Sequence, residues 1–296
     1  MFHPLLWRAF HPAMTQSQKL EIFFWILINN LAGKGAWVRT ASCQSLDKKR
    51  HSLGGLLLSV CMIGWRQQFG FDAAFLRSVM IIAIVNEGFR PYQDLAAALL
   101  PHAVQHDDGA HDAAHLQRVW KNAYAIQSAE GGDAEILAAA VLLHDCVAVE
   151  KDSPQRALAS WLAAEKASRV LAKQGWPEAR ISSVTHAIEA HSYSGGIKPE
   201  SLEAKILQDA DRLDSIGLVG VARCFYTAGR MGSALYDPAD AAGETRDKDD
   251  KRFALDHFYT KLLKLAGSFQ TETGARLARE RDTRLRKFLD DFRAEI

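Results

Sequence analysis

The residues best suited to chemistry are histidines and aspartates in the middle of the chain. The sequence has 11 histidines, and seven of them fall between positions 102 and 191: His102, His106, His111, His115, His144, His186 and His191. One histidine by itself is weak evidence, because most are surface or core residues with ordinary partners. A dense group is a reason to look for a metal site, since imidazole is a common ligand of divalent ions.

The pair His144-Asp145 is the sharpest of these features. It follows the run 136–143, which is apolar on all sides and predicts a central, buried helix. Burying a carboxylate at the end of such a helix costs several kcal/mol unless something compensates the charge. A divalent cation held by imidazole and carboxylate is the natural compensation. Local capping or ion pairing of Asp145 is the alternative.

Two other positions repeat this anomaly. His115 lies on a predicted helix just before the buried one, and Asp211 lies in the string QDADRLD, residues 208–214, on an amphipathic helix. Asp209 is two residues from Asp211, so the two carboxylates point about 200° apart and cannot share one site. A salt bridge or helix contact would explain Asp209. The geometry favours Asp211 only slightly.

Three strings in this order resemble the HD-domain superfamily of metal-dependent phosphohydrolases, whose signature is His, then His-Asp, then Asp. The strings are HDAAHLQRV at 111–119, LLHD at 142–145 and QDADRLDSIG at 208–217. Two further strings resemble the small bacterial HD hydrolases of the YedJ/YpgQ type, namely KDSPQR at 151–156 and HFYTKLL at 257–263. The resemblance covers roughly residues 92–296, and three matching contexts are far more specific than a bare match of four residues.

The resemblance implies that His115, His144, Asp145 and Asp211 are the metal ligands. Four protein ligands leave one or two positions on a six-coordinate ion for water and substrate. An ion held there would polarise a phosphoryl oxygen and lower the pKa of a bound water, with Asp145 also counted as catalytic. The mixed nitrogen and oxygen set does not choose among Mn, Fe, Co, Ni and Mg.

His186 and His191 are further candidates for catalysis. They are five residues apart, about 140° around a helix, which argues against their binding one ion together while both stay helical. His191 lies at a predicted helix end, where it could bend inward. Some HD proteins use extra histidines for a second metal. Contact with phosphate or with the transition state is the other functional interpretation, and an ordinary surface histidine is the alternative.

A phosphorylated substrate needs cationic contacts, and four residues are candidates. Arg118 lies on the helix of the first histidine, Lys151 and Arg156 follow the His-Asp pair, and Lys205 precedes the last aspartate. Each could bind phosphate, although each by itself is more often a solvated or salt-bridged residue. Asp214 completes the predicted substrate-binding set.

These residues predict an enzyme that hydrolyses a phosphoester or phosphoanhydride, with a nucleotide as the expected substrate. The resemblance favours pyrophosphohydrolysis of nucleoside triphosphates, and a nucleotide monophosphatase or phosphodiesterase is the alternative. A non-catalytic metal or nucleotide sensor is the alternative of another class. Trp120, Trp161 and Trp176 fit helix faces and are expected in the core, although one of them could line a base pocket. The sequence has no readable element for base recognition, so the substrate cannot be derived from it.

The elements that must position these residues are predicted to be helices. Asp112, Asp133 and Ser153 are predicted to cap helices after Pro91, Gly175 is predicted to end one, and no strand pattern appears there. The predicted helices cover about 112–129, 133–144, 153–175, 177–194, 199–214 and 219–227, then, beyond a mobile loop at 230–252, 253–266 and 273–294. The predicted class is all-α, an HD-domain helical bundle with the metal site between central helices.

The first part of the chain has a different character. Residues 1–91 contain apolar clusters broken by glycines, with no sustained helical period. We treat them as an N-terminal extension of unknown fold preceding an HD domain at 92–296. Poor packing of the extension, from a wrongly chosen translation start, is one hypothesis, and docking to a membrane or partner is another.

Composition sets outer limits on function. The chain is 48% hydrophobic and 24% charged with a formal net charge of +1, so no nucleic-acid partner is expected. The cysteines, Cys43, Cys61, Cys146 and Cys224, have no paired spacing, which fits a reducing compartment. Cys146, directly after the His-Asp pair, is expected to be a small buried residue. No stretch reaches the ~20 apolar residues of a membrane span, and no secretory signal is evident. The expected location is the cytoplasm, and the expected partner is a phosphorylated small molecule.

Overall fold

The described part of the chain is helical. The computed structural model describes residues 86–103, 113–147, 149, 158–192 and 195–296. All of them belong to the C-terminal one of the two units into which the chain divides, Ala73–Ile296. No strand occurs within these ranges, where the pair Ala234 and Phe253 forms an isolated bridge. The all-α class predicted from the sequence is therefore confirmed.

The predicted N-terminal extension, residues 1–91, lies outside the described residues except for positions 86–91. Within those six positions, Phe89 is fully buried, and its ring stacks on Trp120 with 5.5 Å between centroids. Some residues before Pro91 thus contribute to the helical core. The boundary at 91 and the interpretation of the extension stay predictions.

The described ranges contain ten α-helices and one π-helical stretch. In chain order they are α1 (Gln93–Ala103), α2 (Ala113–Glu130), α3 (Ala134–Leu143), α4 (Ala159–Lys173), α5 (Glu178–His191), α6 (Leu202–Asp214), α7 (Gly217–Arg230), α8 (Ala254–His257), a π-helical stretch (Phe258–Leu262), α9 (Leu263–Leu265) and α10 (Glu272–Ala294). The long C-terminal helix α10 packs against α2, α6 and α7.

Helix α3 lies at the centre of the bundle. Its residues Ile136 to Leu143 are all buried, and it packs against α1, α2, α4, α5 and α6. A helix that is apolar on every side is stable in water only when neighbours surround it. The prediction of a central, buried helix is confirmed, and its C-terminal end opens toward α2, α5 and α6.

The start of α3 is fixed by a side-chain cap. Asp133 accepts hydrogen bonds from the backbone N–H groups of Glu135 and Ile136, each at 3.0 Å. These are donors that the first turn of a helix leaves without partners. Arg180 of α5 donates to the same carboxylate at 3.0 Å, so the cap also joins two helices. This confirms the predicted role of Asp133.

Other predicted boundaries can be compared in the same way. Gly175 follows α4 with φ of +78°, a left-handed conformation that suits glycine, and so ends the helix as predicted. Ser201 caps α6 by accepting the N–H of Ala204 at 3.1 Å. The predicted caps Asp112 and Ser153 lie outside the described residues.

The irregular segment 231–253, where a mobile loop was predicted at 230–252, is held in place by its own charged side chains. Arg246 donates to both carboxylate oxygens of Asp256 at 2.6 and 2.9 Å, and Asp256 is fully buried at the start of α8. The same guanidinium donates to the carbonyl of Asp240. The segment lacks regular structure, as predicted, but it is anchored rather than loose.

Three tryptophans were expected in the core, and one of them is elsewhere. Trp120 is buried and Trp176 is half-buried, whereas the side chain of Trp161 is 50% exposed on α4. The prediction for Trp161 was wrong because helical spacing does not say which flank of a helix faces a neighbour.

The described helices can be compared with the requirements for a membrane-spanning helix. None of those within the described ranges combines the length and the apolar character needed to cross a bilayer. The cytoplasmic location stays a prediction.

Candidate metal centre

Helix α3 delivers His144 to the middle of the bundle. The residue directly follows the helix, and its side chain is fully buried. Its Nδ1 lies 2.8 Å from the carbonyl oxygen of Val141, one turn back. A carbonyl only accepts hydrogen bonds, so Nδ1 carries the proton and Nε2 keeps a lone pair.

Helix α2 brings His115 against it. The Nδ1 of His115 lies 2.8 Å from Oδ2 of Asp214, so its proton is directed to that carboxylate. Its Nε2 lies 3.3 Å from Nε2 of His144. Both rings therefore turn the same atom toward the same point, although they come from different helices.

His191, the last residue of α5, joins the group. Its Nδ1 donates to the carbonyl oxygen of Ile188, which again leaves the lone pair on Nε2. That Nε2 lies 3.6 Å from Oδ1 of Asp145, and the ring meets His144 edge-on with 4.9 Å between centroids. The end of the helix lets His191 turn inward.

Two carboxylates complete the cluster. Oδ2 of Asp145 lies 3.4 Å from Nε2 of His144, and Oδ1 of Asp211 lies 3.6 Å from Nε2 of His115. Their side chains are 38% and 26% exposed, against 0% for His144 and 1% for His115. The imidazoles thus form the buried back of the site, and the carboxylates form its open side.

The five residues His115, His144, Asp145, His191 and Asp211 fit a divalent cation. In their neutral tautomers the three histidines turn only lone pairs toward two carboxylates. Acceptors at such short distances repel one another unless a cation or a proton lies between them. Nitrogen and carboxylate oxygen are the donor atoms that first-row divalent metals take.

The ligand atoms fall into two overlapping groups. Those of His115, His144 and Asp211 lie within 4.8 Å of one another, and so do those of His144, Asp145 and His191. Both groups use Nε2 of His144, because its Nδ1 is committed to a backbone carbonyl. The two groups are therefore parts of one centre.

Protonation in the cluster suits metal binding. Burial by itself would raise the pKa of Asp145, but the imidazoles around it, His144 foremost, hold it well below its usual range. Burial lowers the pKa of His144. Burial also acts to lower the pKa of His191, yet its contact with the Asp145 carboxylate raises it overall. A neutral His144 beside an ionised Asp145 is the state in which both can ligate a metal.

The turn that carries Asp145 is anchored to α4. Lys166 donates to the carbonyl oxygen of Cys146 at 2.8 Å and to that of His102, in α1, at 2.9 Å. The Cys146 thiol lies 3.5 Å from the carbonyl oxygen of Ala163. Burial raises the pKa of this thiol to about 11, so it stays protonated. Cys146 is thus the small buried residue that the sequence suggested.

The structure distinguishes Asp209 from Asp211, between which the sequence indicated only a slight preference as a metal ligand. Asp211 faces His115 in the cluster, whereas Asp209 is fully buried on another side of α6. Asp209 accepts hydrogen bonds from the backbone N–H groups of Gln270 and Thr271 at 2.8 Å, and from the Thr271 hydroxyl at 2.6 Å. Asp209 thus holds the start of α10, and none of these hydrogen bonds involves a residue of the cluster.

Arg118 and Asp214, both predicted to bind substrate, bind each other. Nε of Arg118 donates to Oδ1 of Asp214 at 2.7 Å, and Arg223 donates to Oδ2 at 2.7 Å. The Asp214 side chain is only 1% exposed. Burial by itself would raise its pKa, but His115 and the two arginines hold it far below the usual range. The Asp214 side chain is therefore too buried to contact a substrate directly, and it lies on the far side of His115 from the open carboxylates.

Two further predicted residues, His186 and Lys205, lie away from the cluster. Nε2 of His186 accepts the backbone N–H of Glu200 at 3.1 Å, in the connection to α6. Lys205 lies about 120° around α6 from Asp211. Lys151 and Arg156 lie outside the described residues, so their roles stay predictions.

Arg223 is the residue that sequence reasoning missed. It lies on α7 and reaches back to Asp214, donating to its side chain and, at 3.3 Å, to its carbonyl oxygen. One signal was available, because a carboxylate at 214 on the apolar side of α6 needs cationic partners. Nothing in the spacing says which arginine supplies them.

Comparison with known proteins agrees with this geometry. Residues 112–216 match the family model described as HD domain, a range that holds all five residues of the cluster. The Bacillus subtilis protein YpgQ is 32% identical over 194 residues, which is 64% of this chain and 86% of that protein.

Solved structures give the same result. A Bacillus thuringiensis HD-superfamily hydrolase is 31% identical, with 69% of this chain and 96% of that one covered at a TM-score of 0.53. YpgQ from Bacillus subtilis, solved in complex with ADP, is 32% identical with 63% and 90% covered at a TM-score of 0.50. A Lactobacillus plantarum protein is 32% identical with 68% and 96% covered at 0.54. This chain belongs to the HD-domain family.

Proposed function

We propose that this protein is a metal-dependent phosphohydrolase acting on nucleotides, and that it releases pyrophosphate from nucleoside triphosphates. The observation that carries the proposal is the convergence of imidazole lone pairs and two carboxylates on one point with an exposed carboxylate edge. A purely structural charge cluster would not need that exposure. Among the described residues, the carboxylate side is the one from which a phosphorylated substrate can approach.

The proposed ligands are His115, His144, Asp145 and Asp211. A divalent ion bound there supplies a Lewis acid that polarises a phosphoryl oxygen and acidifies water. The overlap of the two donor groups at His144 supports a single ion, with Mn, Fe, Co, Ni or Mg all compatible with the donor set.

His191 is the proposed proton acceptor. Its Nδ1 is committed to Ile188, so only Nε2 can take a proton from water at the site. Asp145 lies 3.6 Å away, and its charge stabilises the imidazolium that results. Its exposed carboxylate can also orient that water through an accepted hydrogen bond. His186, which bonds to Glu200, has no part in this scheme.

A relative supports a nucleotide as the substrate. The structure of YpgQ contains ADP, and that protein is 32% identical to this chain. The cationic contacts that we propose for the phosphates are Lys151 and Arg156, which follow the His-Asp turn in sequence. Cleavage to phosphate, by a monophosphatase or phosphodiesterase, is the alternative within the same chemistry.

A panel of nucleotides and metals tests the proposal. Nucleoside mono-, di- and triphosphates are incubated with each of Mn, Co, Ni and Mg, and phosphate and pyrophosphate are detected separately. We expect pyrophosphate from triphosphates. If the purified protein contained no divalent ion and hydrolysed none of the nucleotides, that result would contradict the proposal and favour a non-catalytic sensor.

The variant Asp145→Ala is the matching test of the site. We expect loss of bound metal and a fall in activity of at least ~100-fold, because a ligand and an oriented carboxylate are both removed. The circular dichroism spectrum should be kept, since the side chain is 38% exposed. Full activity in this variant would overturn the site assignment.

A further inference from the structure

The carboxylate of Asp214 contacts the buried side of His115, although Asp214 is not one of the proposed metal ligands. Asp214 is 1% exposed, and its Oδ2 lies 2.8 Å from Nδ1 of His115. Arg118 and Arg223 each reach it at 2.7 Å. A carboxylate this deeply buried requires such partners, and here one partner is a proposed metal ligand.

Helix α6 grips the His115 ring from both of its nitrogens. Asp211 lies 3.6 Å from Nε2, and Asp214 lies 2.8 Å from Nδ1. The two aspartates are three residues apart, so they lie on neighbouring parts of one helix face. Helix α6 thus provides one proposed ligand, Asp211, and also Asp214, the group that orients the second proposed ligand, His115.

His115 differs in this respect from the other two histidines. His144 and His191 give their Nδ1 protons to backbone carbonyls, of Val141 and Ile188, three residues earlier in the same chain segment. Those rings are oriented by the helix itself. The ring of His115 depends on a side chain 99 residues away, which a substitution can remove.

We propose that Asp214 is a positioning residue of the metal centre. It fixes His115 as the Nδ1–H tautomer and turns the Nε2 lone pair to the metal, while Arg118 and Arg223 hold the carboxylate in place. A hydrogen bond from a ligating imidazole to a carboxylate orients the ring and favours the ligating tautomer. The inference rests on the metal centre proposed above, and it replaces the substrate contact expected for Asp214.

The test is metal binding by Asp214→Asn, a substitution that keeps shape and removes charge. We expect the Kd for Mn²⁺ or Co²⁺, measured by isothermal titration calorimetry, to rise roughly 10- to 100-fold. The ligand-field spectrum of the Co²⁺ protein should change as well. Asp256→Asn is the matched control, because it also removes a fully buried carboxylate held by an arginine, in α8 rather than at the cluster. We expect its metal affinity to stay at the wild-type value.

The tautomer of His115 gives a second readout, one that does not depend on how the variant folds. Long-range ¹H–¹⁵N correlation on the wild-type protein should show His115 protonated at Nδ1. An Nε2–H tautomer, or unchanged Mn²⁺ affinity in a folded Asp214→Asn, would overturn the inference. Wild-type protein that binds no metal would instead refute the proposed centre, so the two failures are distinguishable.

Discussion

Asp209 and Asp211 have opposite surroundings although a single residue separates them. Asp211 is partly exposed beside His115, and Asp209 is fully buried beneath Gln270 and Thr271. A helix turns about 200° over two residues, so the two side chains point to opposite sides of α6 and have different roles. Residue type alone therefore says little about role at this scale.

This contrast predicts two opposite phenotypes. Asp211→Ala removes a proposed ligand, so we expect metal affinity and activity to be lost, with the stability of the metal-free protein nearly unchanged. Asp209→Ala leaves the buried N–H of Thr271 and the partly buried N–H of Gln270 without an acceptor, and an unsatisfied buried group costs about 1–3 kcal/mol. Urea denaturation and metal titration of both variants check this. Equal effects of the two variants on metal binding would contradict it.

At the scale of elements, the site depends on where helices end. His144 follows the last residue of α3, and His191 is the last residue of α5. At both positions the histidine Nδ1 is bonded to a carbonyl of the preceding turn, so the helix end itself aims the ring. The turn after His144 is then held by Lys166, which joins it to α1 and α4.

The cap of α3 gives a prediction at this scale. Asp133→Ala should lower the free energy of unfolding by about 1 kcal/mol, because the first-turn N–H groups lose their acceptor. Asp133→Asn is the control, since asparagine caps equally well and loses only the charge that faces Arg180. Chemical denaturation of both variants measures the difference. An alanine variant no less stable than the asparagine variant would refute the role of the cap.

At the scale of the whole molecule, the proposed centre joins four helices. The proposed ligands come from α2 (His115), the end of α3 (His144) and α6 (Asp211), and the proposed proton acceptor His191 comes from α5. A metal bound only by the folded protein stabilises that fold, because unfolding separates its ligands. The same ligands repel one another when no cation is bound.

We therefore expect stability to depend on metal concentration. At an ion concentration of 100 times the Kd, the free energy of unfolding should rise by about 2.7 kcal/mol. Thermal denaturation with added Mn²⁺, and again with a chelator, measures the shift. Asp145→Ala should show no such dependence. A wild-type melting temperature that does not respond to any divalent ion would contradict a metal centre in the fold.

The sequence by itself determined the class of the fold and most helix boundaries. The apolar run of α3, the cap at Asp133 and the stop at Gly175 are local signals, and local hydrogen bonding and backbone conformation decide them. The candidate ligands also came from the sequence, because three local strings in order carry the resemblance to the family.

Only the tertiary structure decided which side chains meet. It brought His191 to the cluster and left His186 bonded to Glu200, a distinction that spacing along one helix does not contain. It turned Asp214 away from the open side of the site and joined it to Arg223 of the next helix. Such contacts depend on the angles and offsets at which helices pack, and these follow from the shapes of many side chains together.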